Sequence, residues 1–235
     1  MKQRIPAAAL AAIGVLFSVN DAWALNGVYY GFRADQLNNK VKADYYTFLP
    51  DGRALRGLPT EGLGRPLDWT YECRFAECGT YSQRAGQVVF RNTTSGADTV
   101  FSIDGEGVLR KPNGSQGYRR MHLMDGMRLS GAWGVFDPSA SAPIVEISFD
   151  QAGRFRETGL LRYLAWAELG RDAASRSSKT VDRGQGAYAI RQGTLELIYD
   201  KGPRAYIMLA VGPGLTPSAA PRSIHLNGAI LDRAP

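Results

Sequence analysis

Apolar and polar residues alternate along several short segments of this 235-residue chain. The clearest example is Val-Glu-Ile-Ser-Phe at 145–149, and the same alternation marks 88–90 and 195–199. A period of two places successive side chains on opposite faces of a strand, so one face is buried and the other is wet. Gly, Pro, Asn and Asp bound the segments and are typical of turns. The pattern therefore predicts short antiparallel strands joined by tight turns.

The strand pattern occurs twice in the same order. Residues 26–32 and 130–136 open the two runs, each with Gly second, an aromatic residue two positions later and Phe last. Later landmarks repeat as well, including an apolar strand ending in Arg at the close of each run. Several landmarks in the same order indicate an internal duplication.

The closest correspondence lies in the middle of each run. Residues 79–90 align without a gap on 186–197, and each segment reads as a strand, a tight turn and a returning strand. The turns fall at Gly86 and Gly193, and glycine suits a turn position that needs a positive φ. We therefore expect one hairpin at the same place in both copies.

Each copy contains about seven or eight short strands, which is the pattern of an all-β barrel or sandwich. Segment 159–178 of the second copy is the exception. There Leu161, Leu164 and Leu169 fall roughly at helical spacing. We expect one short helix or lid near 160–170.

The first 24 residues have the layout of a secretory signal peptide. A basic start is followed by an apolar run and by a small-x-small pattern that ends at Ala24. The apolar run is shorter than the roughly 18–20 residues that a spanning helix needs. We therefore expect export to the periplasm or the medium and no membrane span. The remaining chain divides into a first repeat at 25–121, a linker at 122–128 and a second repeat at 129–235.

The formal net charge of +6 comes from basic residues scattered along the chain. A nucleic-acid-binding face would gather these residues on one element and interleave them with aromatic residues. No such cluster occurs in the sequence, so we expect no nucleic-acid partner. Weak affinity for anionic lipid or polysaccharide stays open.

Cys73 and Cys78 are the only two cysteines of the chain. In an exported protein, a lone pair five residues apart most often closes a small loop as a disulfide. A metal site would need more ligands, and His122 and His225, the only histidines, are distant in sequence. A redox pair is usually Cys-x-x-Cys. The sequence therefore predicts a structural disulfide, no metal and no cofactor.

The start of each copy resembles a known family. Gly-Ala-Trp at 131–133 resembles the Gly-x-Trp signature on the first strand of lipocalins, and Arg233 lies where that family packs an Arg across the Trp. The first copy has the degenerate form Gly-Val-Tyr at 27–29, with Arg119 or Arg120. The resemblance implies two tandem antiparallel β-barrels of about eight strands. Barrels of that size are filled by side chains or hold one small ligand. It also implies a structural contact between Trp133 and Arg233 that closes the barrel floor.

No nucleophile elbow, phosphate loop, metalloprotease helix or zinc spacing occurs in the sequence, so no catalytic residue is assigned. Paired carboxylates such as Glu72 and Glu77 are expected in water, on turns. Three functions stay open. The resemblance favours a non-enzymatic exported protein that holds a small apolar ligand. A cell-envelope module with filled barrels and a protein partner is the first alternative. A hydrolase or isomerase would need His225, a carboxylate and a Tyr in one pocket.

Overall fold

The fold is two closed antiparallel β-barrels of eight strands each, so the predicted all-β fold class is confirmed. The computed structural model describes residues 25–35, 40–112, 117–136, 143–169 and 184–234. The predicted signal peptide, 1–24, lies outside the described residues. No helix in the described part of the chain combines the length and apolarity needed to cross a bilayer.

The first barrel closes on itself when its last strand pairs with its first. Its strands are β1 (Gly27–Asp35), β2 (Lys40–Phe48), β3 (Arg53–Arg56), β4 (Glu77–Arg84), β5 (Gln87–Asn92), β6 (Asp98–Ile103), β7 (Leu109–Arg110) and β8 (Gly117–Arg120). A one-turn helix, α1 (Trp69–Glu72), lies between β3 and β4. The Asp68 side chain caps α1 by accepting the Tyr71 N–H at 3.0 Å. The sequence pattern did not predict α1, because a single turn is too short to show helical periodicity.

The second barrel repeats this order and adds one strand from the segment before it. That strand is β9 (His122–Leu123), and the barrel consists of β10 (Gly131–Val135), β11 (Val145–Phe149), β12 (Arg154–Glu157), β13 (Gly184–Arg191), β14 (Thr194–Tyr199), β15 (Arg204–Val211), β16 (Ser223–Leu226) and β17 (Ala229–Arg233). Helix α2 (Leu160–Leu169) follows β12, where the sequence predicted a helix. β9 pairs with the end of β15, so the predicted linker contributes to the second sheet.

The two predicted hairpins occupy equivalent places in the two barrels. β4 pairs with β5 in the same antiparallel arrangement in which β13 pairs with β14. The φ angles of Gly86 and Gly193 are +76° and +74°. Glycine adopts this left-handed conformation without the steric cost of a Cβ atom, which explains why both copies keep it there.

Both barrel interiors are filled by apolar side chains. The first core contains Tyr29, Tyr46, Phe48, Val88, Phe90, Phe101, Leu109 and Tyr118. The second contains Trp133, Ile147, Phe149, Phe155, Leu195, Leu197 and Leu231, with Leu160 and Leu164 of α2. The ring of Tyr46 meets those of Phe90 and Phe101 edge-on, at 5.7 and 5.0 Å between centroids. Burying each such side chain contributes about 1.5–3 kcal/mol to stability.

The barrels pack against each other through a third apolar cluster. It contains Val28, Tyr45, Met121, Met208 and Ala210. Polar contacts flank the cluster: the Tyr45 hydroxyl donates to the Gly228 carbonyl at 3.2 Å. The Thr194 hydroxyl donates to the Glu61 carbonyl at 2.9 Å and accepts the Gly64 N–H at 2.8 Å. These contacts fix the orientation of one barrel against the other.

Candidate binding site at the barrel junction

The predicted disulfide is present and stands beside the junction. Cys73 and Cys78 are bonded, with their Cα atoms 5.4 Å apart. Cys73 follows α1 directly and Cys78 belongs to β4. The bond therefore attaches α1 to the barrel wall.

Trp133 and Arg233 are direct partners across β10 and β17. Trp133 is fully buried, and its Nε1–H donates to the Pro221 carbonyl at 2.9 Å. A Cβ atom at Gly131 would lie 3.2 Å from Nε of Arg233 and 3.5 Å from Cη2 of Trp133, so both side chains converge there. In the first barrel the corresponding strand partners are Tyr29 and Arg120. The role of the pair in closing the barrel floor remains a prediction.

The wall of the first barrel has a gap between β2 and β3. The two strands pair only at Thr47 with Leu55 and at Phe48 with Ala54. The chain then turns away at Gly57, whose φ of +151° lies in a region that side-chain-bearing residues rarely adopt. The Gly57 carbonyl accepts the Thr47 hydroxyl at 2.9 Å, which holds the turn in place. The part of β2 that precedes Thr47 in the chain therefore has no β3 residue beside it.

A cavity of about 520 Å³ fills this gap, and we call it the junction cavity. Its walls are β2 at 43–45, the chain after β3 at 56–60, α1 with the residues that follow it, and the turn at 227–228 of the second barrel. Tyr71 and Phe75 form an aromatic wall, with their rings 5.1 Å apart at 61°. They are 44% and 54% exposed, so two adjacent aromatic side chains border the cavity and remain open to solvent. The cavity thus combines apolar surface with access from solvent.

A charged network lies at the cavity wall, at the end of the first barrel. Asp44 is 6% exposed and accepts from Nε and Nη2 of Arg56 at 3.2 and 3.3 Å. It also accepts the Tyr118 hydroxyl at 2.7 Å, and Nη1 of Arg56 donates to Glu77 at 3.2 Å. Burial together with the bond to Asp44 raises the pKa of Tyr118. Lys111 stands 3.9 Å from Asp44, and burial lowers the pKa of Lys111.

Arg33 supplies a further guanidinium to the junction cavity. It lies on the exposed part of β1 and, among the described residues, forms no ion pair. Asp44 and Glu77, the two carboxylates of the lining, are both engaged by Arg56. A guanidinium without a carboxylate partner is suited to bind an anionic group of a ligand.

Among the described residues of the second barrel, the corresponding strands β11 and β12 stay paired where β2 and β3 part. There the ladder between β11 and β12 continues past the strand ends, because the Thr158 N–H donates to the Glu146 carbonyl at 2.9 Å. Helix α2 follows at once, and the buried Glu157 accepts the Leu160 N–H at 2.6 Å. Burial raises the pKa of Glu157. The gap that opens the junction cavity therefore lies in the first barrel, and residues 227–228 of the second barrel close its far side.

No protein-family model, curated protein or solved structure matches this chain. The likeness to lipocalins therefore stays a resemblance. The junction cavity is interpreted from its own geometry and chemistry.

The two histidines lie apart, and no carboxylate or tyrosine among the described residues hydrogen-bonds to either of them. His122 is exposed on β9, whereas His225 is 5% exposed on β16. The His225 ring meets Tyr30 edge-on at 5.4 Å, and its Nδ1 has no hydrogen-bond partner. Burial lowers the pKa of His225 to about 4. No group of three or more potential metal ligands occurs in the part of the chain that the structure describes.

The expectation that Glu72 lies in water is wrong. Glu72 is 3% exposed, and its carboxylate accepts the N–H and the hydroxyl of Thr60 at 3.0 and 2.9 Å. Burial raises the pKa of Glu72, and the bonds from Thr60 oppose this. Glu72 thereby holds the chain after β3 against α1, whereas Glu77 is half exposed at the cavity wall.

Sequence reasoning did not select Arg33, Asp44 or Arg56. One signal was available. Asp44, Tyr46 and Phe48 are alternate residues of one predicted strand, so the Asp44 side chain points to the same face as the two aromatic rings. Buried charges need partners, and this one predicts a cation nearby. No such signal marked Tyr71 and Phe75, because their exposure depends on how the long connection between β3 and β4 folds.

Removing the disulfide is expected to lower the free energy of unfolding by about 2 kcal/mol, since a short loop restrains the unfolded chain modestly. Urea denaturation of the Cys73→Ala/Cys78→Ala variant would measure the loss. Dithiothreitol should destabilise the wild type by the same amount and leave the variant unchanged. Equal stability of both proteins under oxidising conditions would contradict a stabilising role for the bond.

Proposed function

We propose that this chain is an exported, non-enzymatic binding protein that holds its ligand in the junction cavity. The observation that carries the proposal is the combination of two filled barrel interiors with one open, aromatic-walled cavity between them. Its volume of about 520 Å³ falls within the range of roughly 300–1,000 Å³ that is usual for ligand sites. We place the ligand outside the barrels because large side chains occupy both interiors.

Two features support export. The N-terminal segment has the layout of a secretory signal, and the disulfide is of the kind that persists in oxidising compartments. A filled barrel with a binding surface suits the role of an interaction module of the cell envelope. A small apolar ligand inside a barrel is the competing proposal. A neutral fluorescent probe such as N-phenyl-1-naphthylamine should then bind saturably both to the wild type and to Ala43→Trp, which narrows the junction cavity, whereas filled interiors predict that any saturable signal is lost in Ala43→Trp.

Site-specific photo-crosslinking tests the binding role of the junction cavity. Benzoylphenylalanine in place of Phe75 should yield a defined adduct in the native host, because this side chain borders the cavity and is half exposed. The matched control replaces Ile144, which is 61% exposed on the second barrel and does not line the junction cavity. Mass spectrometry of the adducts gives the readout. The proposal fails if position 75 yields no adduct, or only the adducts that position 144 also yields.

A further inference from the structure

The side of β2 that faces the junction cavity is an unpaired strand edge. The Leu49 N–H donates to the Arg53 carbonyl at 2.9 Å, on the side where β3 lies. Alternate residues of a strand direct their backbone groups to the same neighbour. Tyr45 and Ala43 therefore direct their N–H and C=O groups to that side, where β3 has already turned away. Among the described residues, no backbone group bonds to these two positions on that side.

This edge lies inside the cavity. Ala43 and Tyr45 both line it, and the opposite wall contains Leu58, Tyr71 and Phe75. Neighbouring strands of a sheet lie about 4.8 Å apart, so a chain alongside β2 would occupy the space that β3 leaves. Exposed edges of this kind recruit extended segments of other chains, and proteins usually cover them. In the part of the chain that the structure describes, no strand pairs with this edge at 43–45, and these positions contain no proline.

The charges of the cavity wall indicate which side chain such a segment carries. In the antiparallel pairing of β1 with β2, Gly31 lies opposite Asp44 and Arg33 lies opposite Lys42. Arg33 and Asp44 therefore project from the same face of this pair of strands. Arg33 lines the cavity from β1, on the other side of β2, and has no ion-pair partner among the described residues, so an acidic side chain of an added strand on that face would point towards it. Guanidinium groups bind carboxylates through paired, charge-assisted hydrogen bonds. Arg56 leaves two of its five N–H donors unused by Asp44 and Glu77.

We infer that the junction cavity binds an extended peptide that adds a strand to β2 at Ala43 and Tyr45 and places an acidic side chain against Arg33. This inference rests on the proposed function and narrows its ligand to one chemical class. Backbone pairing supplies binding that tolerates sequence variation, and the carboxylate supplies selectivity.

Titration calorimetry with defined peptides tests both elements. The probe is a blocked heptapeptide of alternating threonine and valine with a central glutamate, added to the whole mature chain. Methylating the backbone nitrogens on one edge of the peptide should weaken binding at least about tenfold, because it removes the pairing donors. Replacing the glutamate by glutamine should also weaken it about tenfold.

Two variants of the protein make the same test from the other side. Arg33→Gln should weaken the glutamate peptide about tenfold and leave the glutamine peptide unchanged, which isolates the coupling between the charges. Ala43→Pro removes an N–H that points to the open edge and makes no hydrogen bond to β1. Proline is tolerated at such a position of an edge strand. Binding by Ala43→Pro should fall, whereas Ala43→Val keeps the N–H and should bind like the wild type.

Several results would overturn the inference. They are absence of saturable binding at millimolar peptide, equal affinity of the methylated and parent peptides, or equal affinity of the glutamate and glutamine peptides. The methylated peptide leaves the protein untouched, so misfolding of a variant cannot account for its result. A non-peptide adduct at position 75 would remove this inference and leave the proposed function standing. Loss of the specific adduct would remove both.

Discussion

Replacing Arg56 with methionine is expected to lower the free energy of unfolding by about 3 kcal/mol, because it leaves a buried carboxylate without its main partner. Asp44 accepts two hydrogen bonds from this guanidinium and is almost inaccessible to water. The Tyr118 hydroxyl and Lys111 remain close and offset part of the loss. Urea denaturation at neutral pH would measure the change.

Two controls separate this effect from the loss of any surface ion pair. Arg91→Met breaks the pair with Asp98, which is exposed, and should leave stability unchanged within error. The double variant Asp44→Leu/Arg56→Met removes both charges, so it should recover most of the stability lost in Arg56→Met. If Arg56→Met were no less stable than Arg91→Met, Asp44 would not depend on this partner.

Acidification is expected to destabilise the protein through His225. Its pKa falls to about 4 on folding, from an ordinary value of 6.5, because burial disfavours the charged imidazolium. The unfolded chain therefore binds the proton more readily than the folded one. The contribution is fully present above pH 6.5 and declines as the pH falls towards 4. By pH 4 the loss reaches about 3 kcal/mol.

Denaturation curves of His225→Gln and wild type at pH 7, 5 and 4 would measure this loss as a difference in slope. His122→Asn is the matched control, because His122 is exposed and is the only other histidine. Its pH dependence should follow the wild type. Glu72 and Glu157, whose pKa values are raised, act in the opposite direction in all three proteins and cancel in the comparison. Parallel slopes for wild type and His225→Gln would contradict the prediction.

Much of the fold could be predicted because its signals are local. The residues at 145–149 alternate between buried and half-buried positions as their apolar pattern requires. The hairpins at Gly86 and Gly193 depend on turn chemistry within a few residues. The spacing of Leu161 and Leu164 is likewise a property of one short segment, and it marks α2.

The junction cavity could not be predicted in this way, because distant residues form it. Tyr45 bonds to Gly228, which is 183 positions away in sequence. The cavity also depends on one turn at Gly57, where the two copies diverge, and an isolated glycine does not reveal where the chain leaves a sheet. The one local signal was the position of Asp44 in line with Tyr46 and Phe48. This signal indicates a buried charge, but it does not indicate which residue pairs with that charge.

The short strand β9 adds residues from before the predicted second repeat to the sheet of the second barrel. Its residues pair with Ala210 and Val211, and the chain just after it bonds to the turn at Gly193. A fragment that begins at residue 129 would lack these partners and would leave the end of β15, at Ala210 and Val211, unpaired on the side of β9. A separately expressed second barrel should therefore start at or before His122, so that β9 is kept.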